Sequence, residues 1–301
     1  MYNYLRYSWV LLGLWLYSPD LPAQVDYGDP TEMGEFPLTS VEYDEHLHSG
    51  EFSSYIPRAV RERRTVPNPY LIERDVKYCK RIIRCIDARQ KMNYSFIWPK
   101  SHFTDNLFKA ILANRITAYR TDSLSSRYNP ERFLDRISYE LPVDIIPDSS
   151  RPDEIETIMI QERIPYEDIK KFWVMEEWIF DAQRSVFFPR IVAIAPIYRP
   201  RFSVDIIVPE QPLCWIKYDD ITRQEFAHWE FFNRYNDAAR LSYDDVFQMR
   251  TFSSYIVFES NVFDLYINQF EEYENDGVAA LLKADEIRND LFIFEHDLWQ
   301  Y

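Results

Sequence analysis

Glycine is scarce in this chain of 301 residues: there are 5, at positions 13, 28, 34, 50 and 277, so none lies between residues 51 and 276. A loop that cradles a nucleotide phosphate needs residues that accept positive φ and let the backbone approach the anion, which excludes Gly-rich mononucleotide and dinucleotide sites across that stretch. The G-x-S-x-G turn of lipase-type hydrolases falls for the same reason. Basic charge is also short. Acids outnumber bases, 49 to 34, for a formal charge of -15, so the chain repels phosphate backbones and nucleic acid is excluded as a partner.

Cysteine is limited to Cys79, Cys85 and Cys214, which allows at most one internal disulfide, and no C-x-x-C or Cys/His spacing points to zinc. With Cys79 and Cys85 on one expected helix, six residues rise about 9 Å and turn them to different faces, beyond the reach of a bridge between them. The expectation is three small buried apolar groups. Long apolar runs are missing too: the longest, Tyr7 to Tyr17, follows Arg6 and stops at Ser18-Pro19, short of the roughly 20 residues a membrane span needs. Together with Leu21-Pro22-Ala23 it reads as a secretory signal peptide over residues 1–23, removed before Gln24. No Cys stands there to take a lipid, so the expected product is exported, with no direct membrane span after cleavage.

What the chain has in quantity is apolar and aromatic mass, 47% and 17% of residues, with 22 Tyr, 21 Phe and 8 Trp. That is enough for a real core, and rings of this kind also suit assembly interfaces. Residues 24–70 show no sustained period and carry an acidic run, Glu42 to Glu45, and a basic patch, Arg58 to Arg64, which reads as an extended arm. From residue 71 to residue 301 a globular domain is expected. Ile72, Val76, Cys79, Ile82, Ile83 and Ile86 predict a helix of about five turns ending at Met92-Asn93. A second helix is expected over Thr104 to Asn114, with Thr104 as its N-cap, and then a short strand at Ile116 to Tyr119.

The middle of the chain is rich in β-branched and aromatic residues, and Glu156 to Glu162, Phe172 to Phe180, Ser185 to Tyr198 and Cys214 to Tyr218 read as strands, the last closing the sheet. Helical signals return after Asp219, on Phe226, Trp229 and Phe232, and again after Ser242 as N-cap. Ala280, Ala284, Ile287, Leu291, Phe294 and Leu298 mark a long terminal helix. The expected class is α+β, with helices at both ends of the chain packed around a central, mostly antiparallel sheet.

Chemistry has few candidates. Glu225-x-x-His228 and Glu45-x-x-His48 have the i, i+3 spacing of di-iron bundles, but the second lies in the arm and the two further inward glutamates are missing, so no metal and no other cofactor is expected. His228, between Ala227 and Trp229, reads as a packed histidine. The acid pairs Glu176-Glu177, Asp219-Asp220, Asp244-Asp245 and Glu271-Glu272 read as surface charge or helix-opening acids. The competing enzyme reading is a periplasmic hydrolase using carboxylates and His228, and its sign would be a cavity where an acid such as Glu225 converges on His228.

Five segments in order carry a likeness: RCIDARQKMN at 84–93, EWIFDAQRS at 177–185 with RIVAIAP at 190–196, NDAARLSYDD at 236–245, FSSYIVFESNVFD at 252–264 and FEHDLWQY at 294–301. They resemble the GldN family of gliding motility proteins, also called PorN. The chain departs from that pattern at Ala193, where Gly is expected, at Ala88, where Leu is, and at Gln90 and Gln300, where acids are. The resemblance implies a non-enzymatic structural subunit of the type IX protein secretion and gliding motility machinery, self-associated in a periplasmic ring at the inner face of the outer membrane. Its implied partners are an outer-membrane lipoprotein of the GldK/PorK kind and the GldM/PorM-like periplasmic motor component. Aromatics and arginines within the resembling segments, Trp178, Arg184, Tyr255 and Trp299, are the candidate partner-contact residues.

Overall fold

A computed structural model describes residues 64–145, 156–199, 209–236, 238–274 and 276–298. The expected signal peptide at residues 1–23, nearly all of the expected arm at residues 24–70, and Trp299 lie outside the described residues. Along the chain run β1 (Val76–Asp87), α1 (Phe103–Leu112), β2 (Ala118–Tyr119), α2 (Pro130–Ile137), β3 (Ser138–Ile145), β4 (Glu156–Arg163), β5 (Lys171–Asp181), β6 (Val186–Tyr198), β7 (Gln211–Pro212) and β8 (Trp215–Lys217). They are followed by α3 (Asp220–His228), β9 (Glu230–Phe231), β10 (Leu241–Ser242), α4 (Tyr243–Met249), β11 (Tyr255–Glu259) and α5 (Gly277–Asp297). Seven strands form the main sheet in the order β11-β1-β5-β6-β8-β2, with β7 joined to β6. Every pairing in it is antiparallel. The α+β class and its antiparallel centre are therefore as expected.

The helix expected at the start of the domain is not there. Residues 76–87 form β1, next to the centre of the sheet, paired with β5 from Val76↔Asp181 to Asp87↔Lys171. The reason is burial on both faces. Ile82 packs with Ile256, Ala284, Ile287 and Leu291 on one side, and Ile83 packs with Met175, Ala193, Trp215 and Phe258 on the other. A strand covered on both sides carries adjacent apolar residues, and these imitated helical spacing. Two smaller corrections follow. Helix α1 begins at Phe103 with His102 at the N-cap position, while Thr104 is buried inside it. Strand β2 lies outside β8, so β8 does not close the sheet.

The later helices match their signals. Asp219 caps α3 by accepting from the Thr222 N–H, and Ser242 caps α4 in a reciprocal pair with Asp245. Helix α3 ends at His228, so Trp229 and Phe232 lie beyond it, although Trp229 is still buried. On α5, Ala284, Ile287 and Leu291 are buried as the stripe implied, and Val278, Leu281, Leu282, Phe292 and Ile293 are exposed on the rest of the helix.

Aromatic rings build the main core. The Phe103 ring lies 4.9 Å from Tyr243, 5.1 Å from Phe172, 5.4 Å from Phe226 and 5.7 Å from Phe247, which ties α1, α3 and α4 to β5. Much of the aromatic surplus is thereby spent inside the molecule. The cysteines are all free, with Cys85 and Cys214 buried and Cys79 exposed. Two of the three thus meet the expectation of burial and Cys79 does not.

Candidate contact surfaces and the Glu176 cluster

Strand alternation sends Glu176 inward and Glu177 the other way. Glu176 is fully buried and accepts from Arg250 Nη2 at 2.8 and 3.0 Å, Arg84 Nε at 3.3 Å and Trp178 Nε1 at 3.3 Å. Two guanidinium groups thus serve one carboxylate, and both also stand over the Trp178 ring, at 5.8 and 5.9 Å. Burial pushes the Arg84 guanidinium below its ordinary value and Glu176 opposes that shift. Arg250 reaches the cluster from the left-handed C-cap of α4, at φ 56. The surface reading of Glu176-Glu177 is corrected for Glu176: within the apolar run Phe172 to Phe180, one of two adjacent acids has to face inward.

A second buried ion pair locks α3 to α4. Arg223 Nε donates to Asp244 Oδ1 at 3.1 Å, and the Tyr218 hydroxyl donates to the same oxygen. Burial raises the Tyr218 hydroxyl far above its ordinary range, with the Asp244 charge adding to it. Asp244 is therefore buried, and both it and Asp245 stand in the first turn of α4, as expected of helix-opening acids.

The groups of the enzyme alternative do not converge. Glu225 Oε2 is held by Arg115 Nη1 at 2.8 Å. His228, expected to be packed, is exposed and lies 3.1 Å from the Gln224 amide. Cys85 and Cys214 are thiols pushed up by burial, to about 11 and about 12, which leaves neither as a ready nucleophile. Among the described residues there is no group of three or more His, Cys, Asp or Glu side chains placed to hold a metal.

The candidate contact residues fall in different places. Trp178 is half-buried in the Glu176 cluster, and its ring also lies 5.3 Å from Phe187. Tyr255 is half-buried on β11 opposite Cys85, and burial, with Cys85 adding to it, raises its hydroxyl. Arg184 is exposed on the turn between β5 and β6, bonded to Asp181 at 2.9 Å. Beside it opens a cavity of about 330 Å³ whose walls include Arg184, Arg190, Arg250, Val186, Phe188 and Pro189. A smaller cavity of about 250 Å³ lies by Arg81, Asp122, Glu177 and Asp264. Neither is lined by Glu225 or His228. Charge and composition gave no hint of the first cavity, because its three arginines come from a turn, a strand and a helix end.

No curated protein matches the chain. The family model described as gliding motility associated protein GldN matches residues 71–300, which takes in β1 through α5. The chain belongs to the GldN family.

Proposed function

We propose that the chain is a non-enzymatic structural subunit that forms a periplasmic ring with an outer-membrane lipoprotein of the GldK/PorK kind. As a GldN protein it is a component of the gliding motility and type IX secretion machinery, and the match over residues 71–300 is the observation that carries the proposal. Three features support it. Candidate acid and base groups are spoken for or apart; the short apolar run at residues 7–17 suits export; and a charge of -15 favours attachment through protein over attachment to anionic lipid. The partner surface is proposed to include Arg184, Trp178, Tyr255 and Trp299, and the motor component of the GldM/PorM kind is the further contact expected of such a ring.

Co-purification from detergent-solubilised envelope tests the reading. Wild-type chain is expected to bring the lipoprotein with it and to lack residues 1–23 by intact mass. Arg184→Ala removes an exposed side chain, so loss of the lipoprotein with an unchanged unfolding curve places Arg184 in the contact. Wild-type chain that never carries the lipoprotein, or keeps Met1 in the envelope, overturns the reading.

A further inference from the structure

Two exposed surfaces of the domain differ in the sign of their charge. The first is the outer side of α5. Leu281 and Leu282 recur eleven residues later as Phe292 and Ile293, three helical turns on, so these four share one side with Val278, turned away from the buried Ala284, Ile287 and Leu291. Leu282 and Phe292 are each 66% exposed, and a stripe of this kind marks a contact surface. Acids border it. Glu286 and Asp290 follow Leu282 at four-residue steps and precede Ile293 by seven and three, and the whole helix carries five acids against two bases.

The second surface is aromatic and basic. Met92, Tyr94, Phe232 and Tyr235 are exposed, Tyr235 at 90%. The Trp98 ring lies 5.4 Å from Phe232, and Arg234 donates to the Lys91 carbonyl, which joins residues 91–98 to residues 232–235. Arg89 beside them is held by Asp87. Lys91, Lys100 and Arg234 are exposed and make no ion pair among the described residues, a local excess of positive charge in a chain of -15.

The two surfaces belong to opposite ends of β1. Phe294 of α5 stacks on Tyr78 near the start of the strand, 4.3 Å between ring centroids, whereas Lys91 comes after its last residue, Asp87, and Tyr78 to Asp87 spans about 30 Å of strand. Within one copy they do not meet. We propose that α5 of one copy docks head to tail on the Tyr94, Phe232 and Tyr235 surface of a second copy, with Leu282, Phe292 and Ile293 on the rings and Glu286 and Asp290 against Lys91 and Arg234. A second α5 is the wrong occupant, because it sets one net-negative helix against another. A head-to-tail contact leaves each pair with one free surface of either kind, so it extends into a filament or closes into a ring. The inference deepens the reading of the chain as a ring subunit, and rests on it, by naming the surfaces through which copies meet.

Analytical ultracentrifugation of the purified chain tests it. Wild type is expected to self-associate beyond a dimer as concentration rises. Phe292→Ser and Tyr235→Ala each remove an exposed side chain, so each should weaken association about tenfold with an unchanged urea unfolding curve, and Lys91→Glu should do the same through charge. The decisive sample is a mixture of Phe292→Ser and Tyr235→Ala. The first keeps its aromatic surface and the second its α5, so together they should form a one-to-one pair at wild-type affinity that grows no further. Association lost in Phe292→Ser but kept in both Tyr235→Ala and Lys91→Glu overturns the proposal in favour of α5 pairing with α5. A wild-type chain that stays monomeric yet carries the lipoprotein from the envelope sinks this inference only, and one that self-associates as stated but never carries the lipoprotein overturns the proposed partner and leaves this contact standing.

Discussion

Glu176 shows how much a single side chain decides here. A fully buried carboxylate holding two guanidiniums is costly to form but more costly to break, because removing it leaves Arg84 and Arg250 with no counter-charge. Glu176→Ala is expected to destabilise the domain by about 3–5 kcal/mol in urea unfolding, and a loss under 1 kcal/mol would mean that water replaces the carboxylate. The three thiols offer a check on the packing itself. A thiol reagent should modify Cys79 rapidly in the native chain and reach Cys85 and Cys214 only on unfolding, since those two are enclosed and held protonated. At this scale the sequence was a poor guide wherever a polar residue turned inward. Glu176 read as a surface acid and Asp244 simply as one that opens a helix, because a charge carries no sign of the strand or helix that will bury it.

Elements differ in how plainly their residues announced them. The start of α4 was legible because Ser242 and the acids after it are local signals, satisfied by bonds within a single turn. Ser242→Ala should cost about 1 kcal/mol in the same urea assay. On α5 one helix gives an internal contrast: Leu291→Ala is expected to cost about 3 kcal/mol through the cavity it leaves against Ile82 and Ile287, whereas Leu282→Ser on the exposed side should change stability by no more than about 0.5 kcal/mol. If the two losses were equal, the outer side of α5 would be packed in the free protein. Strand β1 was illegible for the opposite reason. Its neighbours β11 and β5 lie far along the chain, and nothing within residues 71–93 reports that both faces will be covered.

For the molecule as a whole, acid is the informative stress. Asp87 sits at the end of β1 with Arg89 Nε 2.9 Å from Oδ1, and that bond, working against burial, holds its carboxyl below the ordinary range. A depressed folded value means that its stabilising contribution is present above the unfolded carboxylate range and is lost as pH falls through the folded value. Melting temperature should therefore drop on acidification below the ordinary carboxylate range, and Asp87→Asn should flatten that part of the profile; an unchanged profile would assign acid sensitivity to other carboxylates. By itself the sequence determined the class of the fold, the exclusion of Gly-loop nucleotide sites, the expectation of a short export signal and the family, since each follows from composition, local spacing or ordered segments. Tertiary structure alone decided that residues 76–87 are a strand, that Glu176 and Asp244 are interior, that Glu225 is held by Arg115, and that Arg184, Arg190 and Arg250 line one cavity. The physical reason is that burial and charge pairing are properties of what comes to lie alongside a residue, and in an antiparallel sheet ordered β11-β1-β5-β6-β8-β2 those neighbours are set by pairings across the chain.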